Sequence, residues 1–331
     1  MTPPPDLAAL CADIELAVSR VHRHSAETPL LRLHCVDQLI KGKVFLKAEC
    51  LQPTGSFKIR GALNAMSVLT EQRDTDAVVA FSSGNHGIGV AYAARCLGKT
   101  ATIVVPNDAP RVKIERIRQL GAGIVFYDRI REDREEIANE LLKGSSAALI
   151  KPYDDWHTIA GQGTCGTEIE KQDAGILDSV IVCAGGGGFA AGVGTYLRSR
   201  QPSLQVYTAE PEGWADHQQS FAAGERLALT ETTPTLCDAL MAPEPGALTF
   251  SINALNATQG LATSDQWVVT AMQLVWRHLG LRLEPSGAVG LACLMASPQQ
   301  FQGQRVVVTL SGGNIDPPLF ESLINSARET A

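Results

Sequence analysis

The chain has 331 residues, of which 45% are hydrophobic and 19% charged, and its formal net charge is −7 at pH 7. A chain of this length and composition buries a large core and divides into about two domains, which excludes a disordered protein. The negative charge offers no basic surface to a phosphate backbone, so nucleic acid is not expected as a partner.

Neither a secretory signal nor a membrane span is predicted. Residues 1–6 are Pro-rich and acidic, without the basic and apolar parts of a signal peptide, and no 18 apolar residues run together. The eight cysteines are scattered, never at CxxC spacing, and several lie inside apolar runs. These features predict a cytoplasmic protein with reduced thiols and no membrane partner.

Short β-branched apolar runs alternate with segments of helical period along the chain. The predicted strands are 44–47, 77–81, 101–105, 123–127, 179–184, 205–209 and 305–310. The predicted helices include 88–97, 111–119, 132–142, 161–171 and 190–199. This alternation indicates the α/β class, with two open, twisted, mostly parallel sheets flanked by helices.

The domain boundaries are predicted from the spacing of these units. Residues 74–149 hold three β-α units in a row, which predicts a small domain inserted in a larger one. The larger domain would consist of residues 1–73 and 150–331, with Lys58 near the cleft between the two. Such a cleft is where a ligand is expected.

The first candidate site residue, Lys58, follows a turn that leads into a helix. Ser56 is predicted to be the N-cap of this helix, and Lys58 lies in its first turn. A cation at a helix N-terminus opposes the macrodipole, which lowers the pKa of the amine. A neutral amine of this kind can form an imine with an aldehyde, whereas the alternative interpretation is an ordinary surface lysine.

Three turns rich in glycine, serine and asparagine each follow a predicted strand, at 82–87, 185–188 and 311–314. In a parallel sheet they would leave the carboxyl ends of the strands, where α/β folds bind ligands. Unpaired N–H groups without a Cβ nearby predict a phosphate cradle in the second turn. That turn consists of Gly185, Gly186, Gly187 and Gly188.

The tetraglycine turn also fits a dinucleotide-binding fingerprint. Gly185, Gly187 and Ala190 match the pattern G-x-G-x-x-A, and Glu210 ends the next strand, near the place of the ribose-binding acid. This turn by itself therefore leaves a dinucleotide-dependent oxidoreductase open as an alternative.

Five co-linear motifs between residues 28 and 316 resemble the fold type II pyridoxal 5'-phosphate (PLP) enzymes, whose fold is tryptophan synthase beta-like. The motifs are 55–62, 82–87, 185–188, 284–288 and 311–314. Within that group the chain is similar to the branch of threonine/serine dehydratases and serine racemases. The resemblance implies a PLP-dependent dehydratase (ammonia-lyase) that converts a β-hydroxy amino acid such as L-threonine or L-serine to a 2-oxo acid and ammonia.

The resemblance also implies roles for single residues. Lys58 would hold the cofactor as a Schiff base and move the α-proton, with Phe57 against the pyridine ring. Asn85 would bind the phenolic oxygen, Ser311 the pyridine nitrogen and the four glycines the phosphate, while Glu284 would brace the loops. A hydroxyl group at the pyridine nitrogen implies a moderate electron sink, which suffices for elimination.

The turn after the second predicted strand would bind the substrate's α-carboxylate. Its residues are Ser82, Ser83, Gly84, Asn85 and His86. Ser83 would face the substrate on the side opposite Lys58, which makes serine racemisation an alternative activity. His86 is interpreted as structural in preference to a general base.

The identity of the substrate stays open. Cys237 and Ala239 stand where the branch commonly has Ala and Gly around the equivalent of Asp238, so a larger β-substituent, as in 3-hydroxyaspartate or phenylserine, is also possible. Arg134 matches a position near the distal end of the substrate in racemase-like relatives and would suit a second carboxylate. An exposed arginine in a charged run is the alternative interpretation.

A loop after strand 205–209 resembles the site that holds Mg²⁺ or Ca²⁺ in racemase-like members. The ligands would be the carboxylates of Glu210 and Asp216 and the carbonyl of Trp214, since hard cations take oxygen ligands. The alternative is a solvated acidic loop in which Glu210 caps nearby N–H groups. The resemblance further implies a homodimer.

Overall fold

Two sheets and the helices around them make up the computed structural model, which describes residues 4–73, 75–82, 84–172 and 175–326. The strands are β1 (Leu30–Arg32), β2 (Lys43–Lys47), β3 (Ala77–Phe81), β4 (Thr100–Pro106), β5 (Gly123–Tyr127), β6 (Ala148–Leu149), β7 (Ser179–Cys183), β8 (Gln205–Pro211), β9 (Gln259–Thr263) and β10 (Arg305–Thr309). The helices are α1 (Leu7–His22), α2 (His34–Ile40), α3 (Lys58–Gln72), α4 (Asn85–Cys96), α5 (Arg111–Gln119), α6 (Arg134–Leu142), α7 (Trp156–Lys171), α8 (Gly188–Arg200), α9 (Asp216–Ala223), α10 (Ala247–Leu255), α11 (Asp265–Leu279), α12 (Pro285–Ala296) and α13 (Pro317–Asn325). No helix within these described ranges is long and apolar enough to cross a membrane.

The larger sheet has the strand order β1-β2-β10-β7-β8-β9, and β1 runs antiparallel to β2 while the other pairings are parallel. The smaller sheet has the order β5-β4-β3-β6 and its pairings are parallel. The predicted α/β class with two mostly parallel sheets is therefore confirmed. Because the smaller sheet takes its strands from within residues 74–149, the topology supports an inserted domain there, which we keep as a proposal.

The central strands have the apolar sequences that burial on both faces requires. Every residue of β7 is buried, and β10 buries Val306, Val307 and Val308 in a row. These strands were predicted within a residue of their observed ends. The strands β1, β6 and β9 were not predicted, because they are short or lack a β-branched apolar run.

Helix α3 lies between two hydrophobic cores. One core surrounds the larger sheet, and a second joins α3 and α4 to the smaller sheet through Ile59, Leu63, Met66 and Ile88. The helix also packs against α7, which packs in turn against α8. Lys58, the first residue of α3, is therefore held at the boundary of the two cores.

Candidate active site

A pocket opens beyond the carboxyl ends of β3, β7 and β10, where the three glycine-rich turns meet. It brings together the predicted residues Phe57, Lys58, Ser82, Asn85, His86, Arg134, Gly185, Gly186, Gly187, Gly188, Glu284 and Ser311. Gly84 lies directly beside it as the N-cap of α4, and Ser83 lies outside the described residues. The fold thus assembles motifs that are more than 200 residues apart in the sequence.

The amine of Lys58 reaches the pocket from the first residue of α3 and donates a hydrogen bond of 2.8 Å to the carbonyl of Pro152. Because protein atoms displace water around it, its pKa falls from 10.5 to about 8. No carboxylate among the described residues pairs with this amine. A desolvated lysine of this kind is neutral more often near neutral pH than an exposed lysine, and the neutral amine can attack a carbonyl.

The predicted N-cap of this helix was wrong. Phe57 occupies the cap position without a side-chain hydrogen bond, and the hydroxyl of Ser56 is buried without a partner among the described residues. The backbone of Ser56 instead forms an antiparallel bridge with Gly312, and Phe57 donates its N–H to the carbonyl of Ser311. Lys58 is therefore positioned by pairing with the turn after β10, which the local sequence does not show.

Three of the four carbonyls of the tetraglycine turn have side-chain partners from outside the turn. The imidazole of His217 contacts the Gly185 carbonyl at 3.0 Å, Thr249 donates to that of Gly186 at 2.5 Å, and Asn253 donates to that of Gly187 at 3.2 Å. The turn's N–H groups lie at the N-terminus of α8, where an anion is favoured.

Glycine is required in this turn by its neighbours. A Cβ on Gly186 would lie 2.2 Å from the Tyr153 ring, and one on Gly187, whose φ is +88°, would lie 2.4 Å from Cε1 of His217. No side chain fits at either position without displacing a ring. The predicted phosphate cradle therefore agrees with the geometry of the turn.

Asn85 lies at the start of α4 with both ends of its amide engaged. Its Nδ2 donates to Oε1 of Glu284 at 2.6 Å, and its Oδ1 accepts from Nδ2 of Asn314 at 2.7 Å. Ser311 lies across the pocket wall and donates to the carbonyl of Ser286 at 3.3 Å. These residues form a polar floor between the turns after β3 and β10.

Phe57 stacks on Phe189 with the ring centroids 4.0 Å apart and the planes inclined by 8°. Phe189 is the residue after the tetraglycine turn, so the stack joins the start of α3 to the start of α8. Both rings lie on the pocket wall. The contact of Phe57 with a cofactor ring stays a prediction.

The turn after β3 uses two of its predicted substrate-binding residues for its own structure. The hydroxyl of Ser82 accepts hydrogen bonds of 2.9 Å from the N–H groups of Gly84 and Gly87. His86 is buried and its Nε2 contacts the Ile150 carbonyl at 2.9 Å, while burial lowers its pKa to about 3. A neutral, hydrogen-bonded imidazole supports the structural interpretation of His86.

Arg134, at the start of α6, lies on the pocket wall with its guanidinium 5.1 Å from the centroid of the Phe81 ring. No carboxylate pairs with it in the described part of the chain. Arg129 also lines the pocket but forms an ion pair with Asp108 at 2.7 Å. The free arginine of the two is therefore the one available to an anionic substrate.

The predicted metal ligands lie one strand away from the pocket. Glu210 and Asp216 are both fully buried, so these carboxylates are not solvated, whereas the capping of nearby N–H groups by Glu210, the other part of that alternative, agrees with the structure. Glu210 accepts hydrogen bonds of 2.9 Å from the N–H groups of His217 and Gln218 and thereby caps α9. Neither carboxylate oxygen of Asp216 has a well-formed hydrogen bond in the described residues, but the side chain of Glu210 and the N–H of Asp216 itself lie close enough to act on its pKa. Burial and the charge of its neighbour raise the pKa of Glu210, and burial raises that of Asp216 to about 7.

A cation between these carboxylates would remove the cost of burying them. The backbone N–H of Trp214 bonds to Pro211 and its indole donates to Thr233, which places the loop but leaves its carbonyl available. In the described residues no group of three His, Cys, Asp or Glu side chains could hold a metal. A bound ion would thus depend on two carboxylates, a carbonyl and water.

Three further residues at the site were not found from the sequence. Tyr153 covers the tetraglycine turn, Arg129 lines the pocket, and Lys113 contacts the pocket residues Asp238 and Glu284 from behind. Tyr153 precedes the helix α7 in a polar segment, which could have marked it as a loop residue at a strand end. Lys113 lies in a helix with many charged residues, and nothing in that pattern indicates its burial.

The comparisons with known proteins agree with this geometry. A family model described as pyridoxal-phosphate dependent enzyme matches residues 21–312. The chain is 40% identical over 312 residues to an L-threo-3-hydroxyaspartate ammonia-lyase of a Pseudomonas species, covering 94% of this chain and 97% of that protein. It is 35% identical to the L-threo-3-hydroxyaspartate ammonia-lyase of Saccharomyces cerevisiae, covering 96% and 97%. Among solved structures it is similar to maize serine racemase, with a TM-score of 0.88 and 34% identity over 95% of this chain and 96% of that one.

Proposed function

This chain belongs to the family of pyridoxal-phosphate dependent enzymes, with the fold type II architecture and the dehydratase-like chemistry of its ammonia-lyase and racemase relatives, and we propose that its substrate is 3-hydroxyaspartate. The reaction would convert 3-hydroxyaspartate to oxaloacetate and ammonia, with the β-hydroxyl lost as water and one water consumed in releasing the ammonia. The dinucleotide-dependent alternative raised by the tetraglycine turn is set aside, because the family match covers residues 21–312.

One observation carries the choice of substrate. Arg134 lies on the pocket wall, and no carboxylate of the described residues pairs with it. A guanidinium that is half-buried and lacks an anion binds a planar carboxylate through two hydrogen bonds. The β-carboxylate of 3-hydroxyaspartate supplies such a group, whereas L-serine and L-threonine do not. The names of two of the ammonia-lyases that this chain is similar to point to the same compound.

The pocket residues fit the cofactor by their own chemistry. The tetraglycine turn excludes side chains and presents N–H groups where a phosphate would bind, and the desolvated amine of Lys58 suits covalent attachment to an aldehyde. When bound, PLP supplies an electron sink next to the substrate's α-carbon.

The remaining steps are assigned to side chains of this protein. Lys58 would hold the cofactor and take the α-proton at Nζ, and the second N–H of the Asn85 amide would donate to the phenolic oxygen. Ser311 would contact the pyridine nitrogen, and Phe57 would pack on the ring. The turn from Ser82 to His86, with Ser83 on the side opposite Lys58, would bind the α-carboxylate with its N–H groups.

We also propose that Glu210, Asp216 and the Trp214 carbonyl hold Mg²⁺ or Ca²⁺. The support is the burial of two neighbouring carboxylates, since burying two such groups side by side is costly, and no well-formed hydrogen bond reaches the Asp216 oxygens in the described residues. The loop lies one strand after the tetraglycine turn, and His217, next to Asp216, contacts the Gly185 carbonyl at 3.0 Å. An ion there would stiffen the phosphate cradle without touching the substrate.

A homodimer in the cytoplasm is the remaining part of the proposal. The eight free cysteines support a reducing compartment, and the homodimer rests on the resemblance to the racemase-like enzymes. Sedimentation of the purified enzyme measures the assembly directly.

The substrate is tested by a panel of L-threo-3-hydroxyaspartate, L-serine, L-threonine and threo-phenylserine. We expect kcat/KM for 2-oxo acid formation to be at least about tenfold higher for 3-hydroxyaspartate, which corresponds to one charge-assisted contact of about 1.4 kcal/mol. Chiral chromatography of the same mixtures measures racemisation. A higher kcat/KM for L-serine or L-threonine would overturn the proposed substrate, and inversion that exceeds elimination would favour a racemase.

A further inference from the structure

Lys113 is a buried lysine on helix α5. It forms ion pairs with two residues that line the pocket, Asp238 and Glu284. Its side chain is 2% exposed, and its Nζ lies 2.7 Å from Oδ2 of Asp238 and 2.9 Å from Oε2 of Glu284. Glu284 is the N-cap of α12, which packs on β7, β8 and β10. Lys113 does not line the pocket itself, but both of its carboxylate partners do.

Glu284 also accepts a hydrogen bond from Asn85, so Lys113 and Asn85 share this carboxylate as a partner. Because Oε1 of Glu284 accepts from Nδ2 of Asn85 and Nδ2 of Asn314 donates to Oδ1 of Asn85, the orientation of the Asn85 amide is determined by its partners. An amide nitrogen carries two hydrogens, and one of them is engaged by Glu284. The other is left as a donor toward the pocket only while Glu284 remains an acceptor.

Glu284 remains an acceptor because a cation lies beside it. Burial raises the pKa of Glu284 above its ordinary value even with Lys113 in place. The charge of Lys113 limits that rise, and the charge of Asp238 adds to it. Without the ammonium, a fully buried carboxyl group next to a second carboxylate takes up a proton. Its O–H could then donate to Asn85, which would favour the reversed amide with its oxygen toward the pocket.

The aliphatic part of Lys113 packs against the turn after β3. A Cβ on Gly84 would lie 2.1 Å from Cδ of Lys113, so this side chain occupies the space that a residue other than glycine would need. Gly84 belongs to the turn that is proposed to bind the substrate's α-carboxylate. The same lysine therefore contacts the turn through its methylene groups and Glu284 through its ammonium group.

We propose that Lys113 is a positioning residue of the active site, which keeps Glu284 an acceptor for Asn85 and supports the turn at Gly84. This inference rests on the proposed role of Asn85 toward the cofactor. It adds a residue from helix α5 that lies outside the pocket lining. Asp238 pairs with the same ammonium group, so Lys113 also contacts the segment before α10.

The experiment compares the purified holoenzyme with its Lys113→Met, Lys113→Arg and Lys99→Met variants. Methionine removes the charge and keeps most of the volume, whereas arginine keeps the charge. Lys99 pairs with the exposed Asp76 at 3.2 Å and serves as the control. The measurements are the visible absorption maximum of the bound cofactor, the Kd of PLP, kcat, KM and the temperature of unfolding.

We expect Lys113→Met to shift the absorption maximum, to weaken PLP binding about tenfold and to lower kcat about tenfold or more, since a charge-assisted contact is lost. Lys113→Arg should recover most of the absorption maximum and kcat, and Lys99→Met should match the wild type. The double variant Lys113→Met with Glu284→Gln should bind PLP more tightly than Lys113→Met, because glutamine accepts from Asn85 without needing a cation.

A Lys113→Met enzyme with the wild-type absorption maximum, PLP affinity and kcat overturns the proposal, even if its unfolding temperature is lower. If Lys113→Met does not fold, the double variant provides the test. A double variant that folds but binds PLP at least about tenfold more weakly than the wild type also overturns the proposal. A wild-type enzyme without a visible cofactor band would instead contradict the proposed function itself.

Discussion

Arg60, which lies two residues after Lys58 on helix α3, donates two hydrogen bonds of 2.7 Å to the two carboxylate oxygens of Glu168. It also donates twice to Glu49 at 2.7 Å, and Lys47 donates to Glu168 at 2.7 Å. The four charged side chains are fully buried. This network joins the start of α3 to α7 and so holds the backbone from which Lys58 projects.

Glu168→Gln should lower the free energy of unfolding by about 3 kcal/mol, because removing one charge of a buried network leaves its partners uncompensated. Urea denaturation measures the difference. Glu71→Gln is the matched control, since Glu71 pairs with Arg20 at the surface, and its effect should stay below about 1 kcal/mol. Equal effects of the two substitutions would contradict a structural role for the buried network.

The same network gives a pH dependence. Burial alone would raise the pKa of Glu168, but hydrogen bonds from His22 and Arg60 and the charges of Arg60 and Lys47 outweigh burial and hold that pKa well below its ordinary value of 4.5. A carboxyl group with a depressed pKa in the folded state contributes stability above pH 4.5 and loses it as the pH falls further. The wild type should therefore lose stability more steeply below pH 4.5 than Glu168→Gln does.

The capture of PLP by the cofactor-free enzyme should accelerate with pH around a midpoint near 8, because burial lowers the pKa of Lys58 from 10.5 to about 8 and only the neutral amine attacks. Stopped-flow absorbance measures the rate, and Lys58→Ala, which should fold but form no reducible chromophore, gives the background. A midpoint close to 10.5 would show that the amine is not desolvated in solution.

Arg134→Gln should lower kcat/KM for L-threo-3-hydroxyaspartate about 10- to 100-fold, because a charged hydrogen bond to the β-carboxylate is lost. L-Serine has no β-carboxylate, so its kcat/KM should change less than about threefold. That change is well under the roughly tenfold loss expected when one charged hydrogen bond is removed. Arg131→Gln is the control, because Arg131 is largely exposed in the same charged segment. An equal loss of kcat/KM for both substrates would contradict a role of Arg134 in binding the β-carboxylate.

Exhaustive chelation should lower both activity and the unfolding temperature, with Mg²⁺ or Ca²⁺ restoring both, because the buried Asp216 carboxylate would lose its cation. Asp216→Asn should abolish the response to metal. Calorimetric unfolding with and without chelator measures the effect. Unchanged activity and stability after chelation, with no copurified metal, would leave Glu210 as a helix cap only.

Ser83→Ala should reduce the formation of D-serine from L-serine at least about tenfold more than it reduces pyruvate formation, a difference of about 1.4 kcal/mol between the two barriers. The reason is that the hydroxyl is expected on the face opposite Lys58, where it would reprotonate the substrate, whereas elimination begins at Lys58. Chiral chromatography and a pyruvate assay on one sample give both rates. Equal losses would argue against a face-specific role.

The sequence alone determined the class of the fold and the motifs of the site, because these depend on local chemistry. The central strands are continuous apolar runs, and each glycine-rich turn follows such a run directly, so their order along the chain already indicates where they meet. Gly186 and Gly187 were predicted as a cradle from the absence of side chains, and the observed neighbours Tyr153 and His217 leave no room for any.

Only the tertiary structure decided which polar groups are partners. Ser56 was expected to cap α3 but pairs with Gly312, and Lys113 contacts Asp238, which is 125 residues away. Glu210 and Asp216 were placed by the sequence in an exposed or metal-binding loop, and their burial follows from packing around α9. A hydrogen bond between distant residues leaves no periodicity in the sequence, because its geometry arises only when separate strands and helices are brought together.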